Sequence, residues 1–231
     1  MMGQLKMFGV IPRKPGITKQ YFHDHYRHPH GTMGRRISYM RAYTQSHHFH
    51  TDLLGPDQSR FEACAEVWMD NAHAGLNFGT EPNYVEHVLP DEPLFVDLEK
   101  LEWCFASEDI IHGGVDWTDP DAEYGDKLFR LDERPFSVKL LQFIIRDGAE
   151  PWEGADDIEL GRRIGALRHV RCHPSPQVHP EGAFCIGVRE LYWPTRMAME
   201  EGIAADVAAW QALLNRPAEA VQFFATAERF M

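Results

Sequence analysis

The chain has 231 residues, of which 44% are hydrophobic and 25% charged, a balance typical of a globular protein with a substantial core. Its formal net charge is −12, from 23 Lys and Arg residues against 35 Asp and Glu residues. A field of that sign repels phosphate backbones and anionic lipid surfaces, so nucleic acid and membranes are disfavoured as partners.

The N-terminal residues and the cysteines indicate where the protein works. Residues 1–9 lack the basic-then-apolar pattern of a secretory signal, and no apolar run approaches the ~20 residues that a membrane helix needs. The four cysteines, Cys64, Cys104, Cys172 and Cys185, include no CxxC pair. We therefore expect reduced thiols and a cytoplasmic location.

The first half of the chain is predicted to contain four strands and two helical regions. Thr18 is the expected N-cap of the first helix, which should bend at Pro29 because proline removes a backbone donor. Asn71 begins the second helical region, which is interrupted near Pro82. The strands are predicted at residues 5–11, 39–48, 61–69 and 98–106. The resulting order, β-α-β-β-α-β, is the split βαβ motif.

The second half repeats this order after a change in composition. Residues 108–135 are rich in Asp, Gly and Pro and are interpreted as a linker or long loop. A helix is predicted from Asp156 or Asp157 to residue 166, and a longer one over residues 197–214. Strands are predicted at residues 138–145, 167–173, 184–193 and 221–230. We therefore expect one repeat in residues 1–107 and a second in residues 136–231.

A sheet covered by helices on one face must bury its other face elsewhere. Two four-stranded sheets in one chain can bury each other. This predicts an α+β fold of two tandem ferredoxin-like repeats, with antiparallel sheets packed as an α+β barrel. An internal echo supports the repeat, because Glu66-Val67-Trp68 and Glu190-Leu191-Tyr192 occupy the same place in the two halves.

Several spaced motifs distinguish the first repeat. They are Arg13-Lys14-Pro15-Gly16-Ile17-Thr18, Phe22, His25-Tyr26, His30-Gly31, Tyr43-x-Gln45-x-His47, Ala65-Glu66-Val67-Trp68-Met69-Asp70 and Pro90-Asp91-Glu92-x-x-Phe95. Together they resemble the EthD-domain family of the dimeric α+β-barrel superfamily, over about residues 5–107. The resemblance implies chemistry without an organic cofactor, or simple binding, on hydrophobic cyclic or phenolic compounds.

The second repeat departs from these motifs. Its first helical segment, residues 153–166, contains no histidine. We expect one site per chain, in the first repeat, with the second repeat taking the role that a partner subunit has in single-repeat relatives. Whether two chains also form a homodimer stays open.

Histidines dominate the candidate chemistry, and seven of the 13 fall between His23 and His50. Histidine titrates near neutral pH and suits proton transfer. His30, at the end of the first helix, is the predicted acid or base, although it could instead cap that helix. Tyr43 and His47 share one strand face and are predicted to bind or polarise a substrate oxygen.

Further residues are predicted to bind the substrate. Glu66 either orients an imidazole or forms an ion pair with Arg41. The aromatic candidates come from elements expected to surround one cavity. The predicted substrate-binding residues are Phe22, His25, Tyr26, Glu66, Trp68, Tyr84 and Phe95.

These observations favour a lyase or isomerase that uses acid–base catalysis on a phenolic, aromatic or polyketide-like compound in catabolism. One alternative is a non-catalytic protein that binds such a compound within a degradation pathway. Another is a metal-dependent enzyme, with ligands from His23-x-His25 and His28-x-His30. The sequence contains no HExxH motif and no ordered Cys/His set, so no metal site is predicted.

Overall fold

The computed structural model describes residues 5–55, 59–113 and 135–231. Eight strands lie in these ranges: β1 (Leu5–Pro12), β2 (Ala42–His48), β3 (Phe61–Met69), β4 (Glu102–His112), β5 (Phe136–Arg146), β6 (Arg168–Pro174), β7 (Gly187–Trp193) and β8 (Glu219–Arg229). They form a closed antiparallel barrel in the order β1-β3-β2-β8-β5-β7-β6-β4. This confirms the predicted α+β fold. Most of the predicted linker, residues 114–134, lies outside the described residues.

The α-helices in the described ranges are short. They are α1 (Lys19–His25), α2 (Thr32–Gly34), α3 (Ala72–Leu76), α4 (Asp157–Arg163), α5 (Arg196–Ala205) and α6 (Val207–Leu214). The chain divides into two compact units. The first comprises the described residues up to Ser107 with Pro174–Phe184 and Ala227–Met231, and the second comprises the described part of Glu108–His173 with Cys185–Thr226.

In the first unit, β1 pairs with both β3 and β4, and β3 also pairs with β2. The predicted helix start is confirmed, because the Thr18 side chain accepts a hydrogen bond from the Tyr21 backbone N–H. The predicted bend is also confirmed. A π-helix, Tyr26–Gly31, contains Pro29 and is kinked at His28, where φ is −142° and ψ is 121°.

The second helical region of this unit is broken into short turns. The region begins at Asn71 as predicted, and the Asn71 side chain caps α3 by accepting from the Ala74 backbone N–H. The region continues through a 3-10 turn (Phe78–Thr80), a π-turn (Tyr84–Val88) and a 3-10 turn (Glu92–Leu94). The Glu81 carboxylate accepts hydrogen bonds from the Ser38 hydroxyl and the Tyr84 backbone N–H, at 3.0 and 2.8 Å. This buried carboxylate therefore fixes the π-turn against the segment that leads into β2.

Several predicted boundaries are wrong: β7 begins at Gly187 rather than residue 184, α4 ends at Arg163 rather than residue 166, and three further elements also differ. β2 begins at Ala42 rather than residue 39. β4 runs over Glu102–His112 rather than 98–106, because Leu98–Lys100 forms a 3-10 turn first. The helix predicted over 197–214 is two helices, broken at Asp206, where φ is −146° and ψ is 77°. The Asp206 side chain caps α6 there by accepting from the Ala209 backbone N–H at 2.9 Å.

The second unit has its own sheet and core. β7 lies between β5 and β6 and pairs antiparallel with both. Large aromatic side chains fill the space beside this sheet. Trp193 and Trp210 are both buried and pack on Phe224, with ring centroids 6.0 and 5.6 Å from it.

Each unit contains a buried lysine–glutamate pair beside an aromatic ring. Lys6 Nζ lies 2.9 Å from Glu66 Oε2 and 4.4 Å from the Trp68 ring centroid. In the second unit, Lys139 Nζ lies 2.6 Å from Glu190 Oε1 and 4.7 Å from the Tyr192 ring centroid. The echo seen in the sequence is therefore a repeated ion pair. Its geometry follows from strand register, which places each lysine opposite the aromatic residue.

Removing one member of the first pair should expose the cost of a buried charge. We expect Lys6→Met to lower the free energy of unfolding by about 3–5 kcal/mol, because the buried Glu66 carboxylate loses the ammonium group that lies 2.9 Å from it. The double variant Lys6→Met/Glu66→Gln should recover part of this loss. Urea denaturation followed by circular dichroism measures both changes.

The exposed pair Arg41–Asp70 provides the control, since its side chains are 54% and 52% exposed. Arg41→Met should leave the denaturation midpoint unchanged because water screens exposed ion pairs. A double variant at positions 6 and 66 that is less stable than Lys6→Met alone would contradict the explanation.

Candidate functional site

A small cavity lies between the strands and the helical segments of the first unit. The space open to the centres of water molecules is about 40 Å³, room for a few waters at ~10–15 Å³ each. Most of the lining is apolar, and the polar groups are few. The lining residues are Met7, His30, Gly34, Ile37, Met40, Tyr43, Ala65, Val67, Phe78, Tyr84, Val88, Glu92 and Trp103.

His30 reaches this cavity from the π-helix and is held by a carboxylate behind it. His30 Nδ1 lies 2.9 Å from Asp91 Oδ2. The other oxygen of the same carboxylate, Asp91 Oδ1, lies 2.9 Å from His25 Nε2. One aspartate therefore binds two imidazoles, one at the end of α1 and one after the kink at Pro29.

This arrangement determines the tautomer of His30. An ionised carboxylate only accepts hydrogen bonds, so Nδ1 carries the proton that is donated to Asp91. Nε2 then keeps its lone pair and is the basic atom of the ring. Burial alone would raise the pKa of Asp91, but hydrogen bonds from His30 and His25 outweigh it and lower that pKa. Asp91 therefore stays ionised near neutral pH.

A second carboxyl group lines the same cavity and behaves differently. The Tyr84 hydroxyl lies 3.0 Å from Glu92 Oε1. Burial, followed by the nearby charge of Asp91, raises the pKa of Glu92 to about 7, although the hydrogen bond from Tyr84 opposes the shift. Burial and the neighbouring Glu92 also raise the pKa of Tyr84. Glu92 is therefore a carboxyl group that titrates near neutral pH.

Tyr43 is the third polar group at the cavity. Its hydroxyl oxygen accepts a hydrogen bond from Gln45 Nε2 at 2.8 Å, and the same amide nitrogen donates to the Tyr26 carbonyl at 2.7 Å. Burial raises the pKa of Tyr43 to about 12. Tyr43 is therefore a neutral phenol, and its hydrogen can be donated to a substrate oxygen.

His47 does not join this group. It is not among the cavity-lining residues, and its Nδ1 lies 2.8 Å from His23 Nδ1. Its Nε2 lies 3.8 Å from Glu228, which Arg27 binds through three hydrogen bonds. Burial, Arg27 and His23 lower the pKa of His47 to about 2. The structure places this histidine in a separate polar cluster, as a neutral ring.

Four of the predicted binding residues lie behind the cavity wall. Phe22, Tyr26 and Phe95 are fully buried and belong to one hydrophobic cluster. The Phe95 ring packs against His30, with centroids 4.8 Å apart, and against His25, at 5.1 Å. His25 itself reaches Asp91 rather than the cavity lining. These residues orient the histidines and do not line the space that a ligand would occupy.

Glu66 and Trp68 lie on the face of β3 that points away from the cavity. Alternation along β3 directs Ala65 and Val67 to the cavity and the other two away from it. The predicted alternative of an ion pair between Glu66 and Arg41 is wrong. Glu66 binds Lys6, and Arg41 binds Asp70 at the surface. Of the predicted residues, His30, Tyr43 and Tyr84 line the cavity.

Asp91 and Glu92 received no role from the sequence, although both are part of the Pro90-Asp91-Glu92 motif. Asp91 is separated from His30 by 61 positions, so spacing alone does not connect them. The available signal was an acidic pair inside a family motif, next to the aromatic Phe95. The burial that distinguishes the two carboxyl groups exists only in the folded chain.

The histidines of the first unit do not converge as metal ligands. Within the described ranges, one set of three His, Cys, Asp or Glu side chains brings its ligand atoms within 4.8 Å of one another. That set, Glu108, Cys172 and Glu190, lies in the second unit and contains no histidine. The metal-dependent alternative predicted from the histidine spacing therefore has no corresponding geometry in the described part of the first unit.

Residues 14–99 match the family model of the EthD domain. An anthrone oxidase-like protein has a TM-score of 0.58 at 9% identity, with coverage of 99% of this chain and 92% of that one. A monooxygenase candidate from Fusobacterium nucleatum subsp. nucleatum has a TM-score of 0.51 at 6% identity, covering 100% and 94%. A chlorite dismutase mutant from Candidatus Nitrospira defluvii also has a TM-score of 0.51, at 7% identity, covering 100% and 93%.

These solved structures share the fold of this chain. No curated protein matches its sequence. The described residues include no helix with the length and hydropathy needed to cross a membrane.

Glu92 should make stability depend on pH. Its folded-state pKa of about 7 exceeds the ordinary 4.5. The stabilisation that it contributes is therefore complete below the lower value and is lost as the pH rises through the higher one. Glu92→Gln stays neutral and should lose less stability than wild type between pH ~5 and ~8, by on the order of 3 kcal/mol. Urea denaturation across this range tests the difference, and parallel pH profiles for the two proteins would contradict it.

Proposed function

We propose, from the EthD domain in residues 14–99, that the first repeat catalyses proton transfer on a hydrophobic phenolic, aromatic or polyketide-like molecule without an organic cofactor. The reaction class is that of a lyase or isomerase acting in catabolism. One observation carries the proposal. His30 lines an apolar cavity, and its far nitrogen is bound by an ionised carboxylate.

In the proposed mechanism, His30 Nε2 takes an acidic proton from the substrate. Asp91 keeps the ring in the required tautomer and stabilises the imidazolium that forms. The Tyr43 hydroxyl donates a hydrogen bond to the substrate oxygen, where negative charge develops. Since the cavity is mostly apolar, little water competes with these contacts, and electrostatic interactions are stronger than in solvent.

The lining favours a flat hydrophobic substrate. Ile37, Phe78 and Trp103 supply apolar surface, and Met7 and Met40 supply flexible side chains. A cavity of about 40 Å³ is much smaller than the ~150 Å³ cavity that holds benzene in an engineered core, so a substrate must displace part of the lining. Methionine has three rotatable side-chain bonds and repacks easily, so Met7 and Met40 are the proposed mobile part of the wall.

The same chemistry can precede oxygenation. Two solved structures of this fold are described as an anthrone oxidase-like protein and a monooxygenase candidate. Removing a proton from an anthrone gives the electron-rich anion that an oxidant would attack. Anthrone is therefore a suitable first probe for the base, under anaerobic conditions that separate proton transfer from oxidation.

Location and partners complete the proposal. None of the four cysteines forms a disulfide, and all are buried, which fits the reducing cytoplasm. We propose a small hydrophobic molecule as the ligand and no nucleic acid or membrane partner. Association of two chains as a homodimer stays a prediction, which sedimentation equilibrium can test.

Replacing the proposed base should strongly slow proton exchange while anthrone binding is retained. We expect His30→Ala to slow the exchange of anthrone methylene protons with D2O by about 10²–10⁴-fold. Proton NMR measures the exchange, and quenching of tryptophan fluorescence measures anthrone binding. His30 contributes only part of the lining, so the dissociation constant should change much less than the rate.

His25→Phe is the matched control, because His25 binds the same aspartate without lining the cavity. It should retain most of the exchange rate, since Asp91 keeps its bond to His30. Wild-type exchange by correctly folded His30→Ala would exclude His30 as the base. Anthrone binding without any exchange by the wild-type protein would instead favour a binding or accessory role.

A further inference from the structure

We propose that Glu92 is a second catalytic group of this cavity, which donates a proton to the substrate oxygen while His30 removes one from carbon. The inference rests on the proposed function and narrows it to enolisable carbonyl compounds, in which loss of a carbon-bound proton gives an anion conjugated with a C=O group. His30 would then act on the carbon, and Glu92 on the oxygen, of the enolisable group.

The first support is position. Glu92 lines the same cavity as His30 and is only 7% exposed. It begins the 3-10 turn Glu92–Leu94, directly after the residue that binds His30. Two consecutive residues therefore place one carboxyl group, that of Asp91, behind the His30 imidazole and the other, that of Glu92, at the cavity.

The second support is the difference in hydrogen bonding between these neighbouring carboxyl groups. Two imidazoles bind Asp91, and they favour its ionised form. The described partner of the Glu92 carboxyl is a phenol, Tyr84, which brings no positive charge. Two adjacent acids in different environments can therefore take opposite roles, one ionised and one protonated.

Burial and the nearby charge of Asp91 favour the protonated form of Glu92, against the hydrogen bond from Tyr84. Burial, and to a smaller extent Glu92, also raises the pKa of Tyr84 and Tyr43, the two phenols of the cavity. The positive charge that His30 gains during the reaction would lie beside Asp91. Glu92 therefore holds its proton at pH values below about 7 and can release it when an oxyanion forms.

The proposed step balances without an added reagent. His30 Nε2 takes the proton from the acidic carbon, and the C–H electron pair enters the π system that joins this carbon to the carbonyl. The C=O π electrons move to oxygen, which takes the proton of Glu92 and leaves a carboxylate. Return of a proton from the imidazolium to carbon, and of the enol proton to Glu92, restores the enzyme. In D2O the returned atom is deuterium.

The test compares Glu92→Gln with His30→Ala, with anthrone as the probe in the anaerobic exchange assay. Wild-type exchange should decrease as the pH rises above about 7, the pKa of Glu92. Glu92→Gln should be slower by about 100-fold, the contribution of a positioned acid, and should lose that alkaline decrease. Glu86→Gln, an exposed glutamate in the π-turn Tyr84–Val88, is the control and should match wild type.

A second measurement needs no substrate. Difference infrared spectroscopy should show a protonated carboxyl band in wild type that titrates near neutral pH and is absent from Glu92→Gln. Wild-type exchange and an unchanged pH profile in Glu92→Gln would overturn the role of Glu92 while the role of His30 stands. Absence of exchange in the wild-type protein would overturn the proposed function and this inference with it, even with the infrared band present.

Discussion

The Asp91 carboxylate is the interaction on which the site depends. It holds His25, the last residue of α1, and His30, beyond the kink at Pro29. The proline interrupts the regular helical hydrogen bonds, so the segment after it needs tertiary contacts to keep one conformation. Asp91 provides them from the far end of the second helical region. The same bond that fixes the backbone also selects the tautomer of His30.

In the first unit, alternation along the strands places a stabilising ion pair on one face and cavity-lining residues on the other. Along β1 and β3, Lys6 and Glu66 form a buried ion pair on one face, while Met7 and Val67 line the cavity on the other. A side chain moves from one face to the other only if the register slips by one residue. A slip would separate Lys6 from Glu66, so the ion pair favours the register in which Lys6 lies opposite Trp68. The ion pair therefore also maintains the composition of the cavity wall.

The sequence predicted those features that depend on local patterns. β3 was placed correctly at Phe61–Met69 because its polar and apolar residues alternate clearly. Thr18 was identified as a cap from its side-chain chemistry, and Asn71 as the start of the second helical region. It could not predict the break at Asp206, which interrupts a continuous apolar pattern. The surroundings of His47 could not be predicted from the sequence either. His47 and Tyr43 share a strand face, but this alternation does not tell which side chains pack over each position along the strand.

The second unit shows why the same architecture need not repeat the chemistry. It has a buried aspartate, Asp157, but arginines bind it: Arg171 Nη2 at 2.7 Å and Arg189 Nη2 at 3.2 Å. A guanidinium does not release its proton near neutral pH, so this network holds charge without transferring protons. The nearby His169 is fully buried, and burial followed by Arg189 lowers its pKa to about 3. In the first unit, imidazoles take the place of those arginines beside Asp91. The proposed acid–base chemistry therefore depends on imidazoles, rather than guanidinium groups, binding the buried aspartate.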